Sequence, residues 1–239
     1  MKNTLLLHIG IFFILSGTMA QGTVVSAGAP NRMVEALNKD WKLTVVSSGA
    51  QIEEGNTFSG SMFYNADWDK GYIKLADNKE AGDLSLRFNA YTNQIYMRRD
   101  SDVLVVDGAE SPVSEFGLEE GGSMKIFRRG YPATGSNTTR TFYEVVASGK
   151  FCLLELHAKR LVESSDVNHV RVKELVDAVF WYVFNSTDGS IKEIRHNKNG
   201  LLEALPGQAD ALKAIIQEKK LRMKDDEDWV ILFSELNRR

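Results

Sequence analysis

The residues most able to do chemistry in this chain are few, and their spacing argues against an assembled motif. Beyond the N-terminal region the histidines are His157, His169 and His196, with no i, i+4 pair and no cysteine beside them. Zinc motifs need such local partners, so no metal site is expected from spacing. Gly130 to Gly135 carries the glycine spacing of a phosphate loop, but Ser136 stands where the lysine must be. Phe58-Ser59-Gly60-Ser61 lacks the first glycine of a nucleophile elbow. Asp225-Asp226-Glu227-Asp228 lacks the alternating ligands and central glycine of a calcium loop, and reads as an acidic first helical turn. Asp100-Ser101-Asp102 reads as a hairpin turn. Cys152, the single cysteine, alternates with Leu154 and Leu156, the pattern of a buried, inert thiol. No catalytic residue, metal or cofactor is assigned. A pair of acids drawn from distant positions, such as Glu144 and Glu155, is invisible to motif reading; it keeps a hydrolase open as an alternative.

A second kind of chemistry is contact through aromatic rings. Phe63, Tyr64, Asn65, Trp68, Tyr72, Tyr91, Asn93 and Tyr96 put rings and amides close together, with Arg87, Arg98 and Arg99 between them. Rings beside amides and guanidinium groups make amphipathic surfaces for sugars, peptides or proteins. The binding candidates are therefore Tyr64, Asn65, Trp68, Arg87, Tyr91, Asn93 and Arg98. The same density also follows from the strand propensity of aromatic residues.

These residues must be positioned by strands. Leu84, Leu86 and Phe88 alternate with Ser85, Arg87 and Asn89, a period of two with one buried face. Ile73 and Leu75, Ile95 and Met97, and Val103 to Val106 give three more strands of a meander. Met124 to Arg128 is a further strand. Thr141 to Ala147 and Lys150 to Leu156 read as a hairpin closed by Ser148-Gly149. His157 to Asp177 has no clear period. Ala178 to Phe184 is apolar on both parities, as a central strand covered on both faces would be. Gly130 to Thr139 is a loop, and Thr187-Asp188-Gly189 a turn. A weak strand signal lies near Lys42 to Val46, after a short helix that Asn31 can cap.

The last forty residues change period. Leu201, Leu202 and Leu205 form a helical turn stopped by Pro206-Gly207, and Leu212, Ile215 and Ile216 share one stripe. Asp225 can cap a last helix whose apolar face is Trp229, Leu232, Phe233 and Leu236. One-sided helices this short must dock. The expected fold is α+β: a mostly antiparallel, strongly twisted or barrel-like sheet with C-terminal helices packed on it.

At the N-terminus, Lys2, the apolar run Leu5 to Leu15 and the small residues of Thr18-Met19-Ala20 make a three-part export signal with cleavage near Ala20. Eleven apolar residues are too few to span a bilayer, which takes roughly 20. The expected organisation is a signal peptide over 1–20 and a leader over 21–58. A single domain over 59–239 follows, with its sheet over about 60–196 and its helical tail over about 199–237. After cleavage 28 basic residues face 32 acidic ones. That balance argues against nucleic acid, which needs a concentrated basic surface.

The strings GSMFYNADW, LSLRFNAYTNQIYMRRD, TFYEVVASGKFCLLE and the tail from Asn197 to Asn237 resemble a family of exported proteins of Bacteroidetes-type bacteria. The resemblance runs from about Gly60 to the C-terminus and rests on Gly60, Ser61, Tyr64, Asn65, Trp68, Arg87, Asn89, Tyr91, Leu205 and Pro206. It implies export and a coherent fold, and brings no activity with it. The function expected is a non-enzymatic binding or interaction module, periplasmic or extracellular. Its partner would be an envelope protein or cell-surface component, with no transmembrane segment after signal removal. A periplasmic carrier of a small apolar ligand is the nearest alternative.

Overall fold

The computed structural model describes residues 44–46, 58–106, 112–165 and 171–239. The expected signal peptide and the Asn31 helix lie outside the described residues, as does nearly all of the expected leader. The meander is β3 (Asp69–Leu75), β4 (Glu80–Asn89), β5 (Gln94–Arg99) and β6 (Asp102–Val105). It is preceded by β1 (Thr44–Val46) and β2 (Phe58–Ser59). Next come β7 (Val113–Glu120), β8 (Ser123–Arg128), β9 (Tyr143–Ala147), β10 (Phe151–Ser165), β11 (Arg171–Asn185) and β12 (Ser190–Ile194). These twelve strands form one sheet in the order β1-β6-β5-β4-β3-β7-β8-β9-β10-β11-β12, with β2 attached to β11. Every described pairing is antiparallel except β2–β11. The path does not return on itself, so among the described residues the sheet stays open.

The period-two reading of the meander holds because one face of each strand enters a common core. Ile73, Leu86, Phe88, Ile95, Met97, Leu104, Phe116 and Phe127 are all buried there. Phe88 of β4 lies 5.3 Å, ring to ring, from Phe127 of β8. Three strand spacings of about 4.8 Å separate those strands in the sheet. The sheet must therefore curl for the rings to meet. Phe116 stacks on Phe127 at 4.7 Å and Phe142 closes edge-on at 5.0 Å, so the concave side is filled by the protein's own rings.

A strap over residues 58–69 crosses between distant strands. Its start pairs with β11 at Lys173 and Glu174, and Phe63 bridges to Asn89 at the end of β4. Gly60 makes the crossing possible: its φ is +89°, and a Cβ there would stand 2.4 Å from the carbonyl oxygen of Leu175.

Two expectations are corrected. The segment after Leu156, without a clear period in sequence, continues β10, which pairs with β11 as two fifteen-residue strands from Phe151↔Asn185 to Ser165↔Arg171. Its outer part has both faces half open, with Leu161, Val162 and Val179 exposed, so no single face carries the apolar residues. The β9–β10 connection is also not a two-residue turn. Ala147 pairs with Leu153, which leaves a wider loop into which Asn237 reaches. The Asn237 side chain accepts from Phe151 N–H at 2.8 Å and donates to the carbonyls of Phe151 and Ser148.

The chain ends in α1 (Lys198–Ala204), a 3-10 turn (Pro206–Gln208), α2 (Ala209–Glu218) and α3 (Asp226–Arg238). Asn197 caps α1 by accepting from Gly200 N–H. Asp225 occupies the N-cap position of α3 without a side-chain capping bond; Asp228 instead accepts from the backbone of Arg222 and Met223. The stripe Leu212, Ile215, Trp229, Leu232, Phe233 and Leu236 packs on Phe151, Leu153, Trp181 and Val183 of the sheet, as one-sided helices require.

A buried acid–histidine seam as the candidate functional site

Between the ring-filled core and the helix-covered core, the inner face of the sheet turns polar. Glu155 is the cross-strand partner of Glu144, and Glu144 is in turn the partner of Phe127. All three therefore point the same way. His157 follows Glu155 by two residues on β10 and joins that face. His157 Nε2 lies 2.7 Å from Glu144 Oε2 and 3.9 Å from Glu155 Oε1. One ligand atom from each of the three lies within 4.8 Å of the other two. The side chains of Glu144, His157 and Glu155 are only 6%, 14% and 14% exposed. The group is nearly closed, with a narrow opening at His157 and Glu155.

The surroundings fix these side chains. Lys125 Nζ donates to Glu144 Oε1 at 2.8 Å, leaving Oε2 to His157. Tyr64 sits edge-on to the His157 ring at 4.6 Å and to Phe127 at 5.4 Å, and its hydroxyl donates to Glu120 at 3.1 Å. Asp226, at the start of α3, adds its charge to Glu155 from the helix side. Four carboxylates thus surround one lysine and one histidine. Burial alone would raise the Glu144 carboxyl, but hydrogen bonds from His157 and Lys125 outweigh it and hold it below the usual range. Glu155 has no such donor among the described residues, His157 Nε2 standing 3.9 Å away. Burial, with Glu144 and Asp226 adding to it against His157, pushes it up to about 7. Tyr64 is raised by burial and by Glu144 and Glu120, so it stays a neutral donor.

Buried charge elsewhere in the sheet is balanced by its own partner. Glu115, on the convex side, accepts from Arg128 Nε at 2.7 Å, directly across the β7–β8 pair, and from Tyr72 hydroxyl at 2.8 Å. The seam differs in carrying an excess of acid.

Of the seven binding candidates, only Tyr64 reaches the seam. Asn65, Trp68, Arg87 and Arg98 gather where the strap crosses β4 and β5. Arg87 lies over the Phe63 ring at 3.7 Å and donates to the Ala66 carbonyl, and Arg98 lies over Trp68 at 5.2 Å. Asn65 donates to Asp69. Tyr91 is exposed in the β4–β5 turn, while Asn93 in that turn accepts from Phe142 N–H. Six of the seven thus hold the strap and the curl together: Tyr64, Asn65, Arg87 and Asn93 by hydrogen bonds, Trp68 and Arg98 by their mutual ring contact. By sequence alone Glu144 and Glu155 are one example of a pair that motifs do not reveal, and His157 is an isolated histidine with no partner in its neighbourhood. The spacing Glu155-x-His157 was the available signal, and it counted only if the strand continued past Leu156. Comparison of the chain with protein-family models, with curated proteins and with solved structures found no match.

Proposed function

We propose that the protein is an exported cell-envelope protein that works as a non-enzymatic binding module, with the acid–histidine seam as its ligand site. The observation that carries this reading is the convergence of Glu144, Glu155 and His157 within 4.8 Å, almost enclosed, on a face otherwise given to packing. Buried charges cost several kcal/mol each unless compensated, so a seam with more acids than cations is held at a cost that a ligand would offset. The export half of the reading rests on Lys2, the Leu5 to Leu15 run and the Ala20 cleavage site. The sheet in this reading is a curled, barrel-like scaffold that presents the seam from rigid strands rather than loops.

The two alternatives fare less well. A carrier of an apolar ligand needs interior space, and the concave side is taken up by Phe88, Phe116, Phe127 and Phe142. A glycosidase-type hydrolase needs carboxyls roughly 5–9.5 Å apart, with substrate or water between them. In the seam both oxygens of Glu144 are tied by hydrogen bonds, one to His157 and one to Lys125, which leaves that carboxylate no free oxygen for such a role.

Native mass spectrometry of the mature protein purified from its own periplasm tests the reading. The expected result is a stoichiometric mass above that of the chain, lost on denaturation and lost in a folded His157→Ala variant. A bare chain mass from every preparation, or an adduct unaffected by that substitution, sinks it.

A further inference from the structure

We propose that Glu144, Glu155 and His157 bind one divalent transition cation of the zinc class, with Lys125 and Tyr64 as the groups that hold the ligands in place. This rests on the seam being the ligand site and names the ligand's chemistry. The donor set is two carboxylate oxygens and one imidazole nitrogen. Such a mixed set suits zinc, manganese or iron(II), whereas calcium and magnesium prefer all-oxygen shells of six or more ligands. Around an ion at roughly 2.0–2.2 Å from each donor, ligand atoms stand about 3–3.5 Å apart. The seam brackets that: 2.7 Å from His157 Nε2 to Glu144 Oε2, 3.9 Å to Glu155 Oε1, and all three atoms within 4.8 Å. Small rotations of two carboxylates would seat the ion, and His157 Nε2 would give up its proton to solvent. The strand register supplies the rest. Glu144 and Glu155 face each other across the β9–β10 pair, and His157 stands two residues on.

Charge supports the same ion. Glu120, Glu144, Glu155 and Asp226 against Lys125 leave three negative charges when the acids are ionised, which a divalent cation reduces to one. The Lys125 contact to Glu144 Oε1 keeps that carboxylate to one free oxygen, as groups behind metal ligands commonly do. Three protein ligands leave one position or more open, toward the narrow exposed edge of His157 and Glu155. His169 lies outside the described residues, and His196 stacks at 3.9 Å on Trp181, the cross-strand partner of Glu155, without joining the three residues whose ligand atoms converge.

The test is titration of chelator-stripped protein with zinc and, separately, with cobalt(II), read by calorimetry and by visible absorption. One equivalent should bind. Cobalt should give a d–d spectrum with oxygen and nitrogen ligands and no thiolate charge-transfer band, since Cys152 is on the other face. Affinity should fall by about tenfold to a hundredfold in Lys125→Met, the usual effect of removing a group behind a ligand. It should be lost in Glu155→Gln and in His157→Ala, and stay unchanged in His196→Ala. Folding of each variant is checked by circular dichroism. If a ligand variant does not fold, the broadening of the His157 ring signals by manganese(II) in the unaltered protein decides. No zinc or cobalt binding by folded protein, or binding indifferent to Glu155→Gln and His157→Ala, overturns the metal. If an organic mass is then still found by native mass spectrometry and lost in His157→Ala, the seam remains the ligand site and only the cation is wrong.

Discussion

At the scale of the residue, Glu144 and Glu155 are two carboxylates on one face with opposite fates. Glu144 accepts from His157 and Lys125, and Glu155 accepts from neither at hydrogen-bond distance. This gives metal-free protein a definite pH dependence. Glu155, raised from 4.5 to about 7, holds its proton more tightly when folded, so its contribution is full below 4.5 and is lost as pH rises through 7. A shift of that size corresponds to a loss on the order of 3 kcal/mol. Glu144, held low, acts oppositely: its contribution is present above its ordinary value and is lost as pH falls. Urea denaturation of stripped protein should therefore show stability falling between about pH 4.5 and 7. Glu155→Gln should flatten that fall. A fall of the same size in the variant would mean that other groups set the slope. His157, Lys125, Tyr64, Glu120 and Asp226 all face this site, so the comparison must be made between otherwise identical chains.

At the scale of the element, the last helix is pinned to the sheet by one amide. Asn237 takes both backbone groups of Phe151 and fills the space beside Gly149, whose added Cβ would stand 2.4 Å from that side chain. Asn237→Ala leaves the N–H of buried Phe151, at the start of β10, without that partner. The expected loss is about 1–3 kcal/mol. That corresponds to a melting temperature lower by roughly 3–10 °C for a domain of this size. Gly149→Ala should do comparable damage by displacing Asn237, and the two substitutions together should cost less than their sum. Strictly additive losses would show that the two residues do not act as one contact.

At the scale of the whole molecule, the helices complete the core rather than extend it. Removing residues 199–239 would expose Phe151, Leu153, Trp181 and Val183 on the face beside the seam. The truncated protein should melt well below the full chain or lose cooperative melting, as followed by tyrosine and tryptophan fluorescence. Unchanged melting would mean that the helices are an independent appendage. The proposed export is tested on the whole chain: N-terminal sequencing of protein recovered from the periplasm or medium should begin near Gln21, and recovery of an intact Leu5 to Leu15 segment would exclude cleavage.

The sequence by itself determined the local elements. Alternation in β3 to β6, the strand over 178–184 and the stripes of α2 and α3 are written at short range, because each strand or helix must bury one face whatever it packs against; cover on both faces reaches only Trp181 to Val183 of that strand, and Val179 is exposed. It also determined which residues enter the cores: Phe88, Ile95, Met97, Trp229 and Phe233 are buried where their periods put them. Only the tertiary structure decided the seam. Glu144 meets Glu155 through the register of two strands, and His157 joins them because β10 runs on into a ribbon whose exposed faces erase the usual alternation. Lys125, Tyr64 and Asp226 arrive from three other parts of the chain through the curl, the strap and the docked helix. Register and curvature are set by packing between segments far apart in sequence, and no local pattern of charges encodes which acids will end as neighbours.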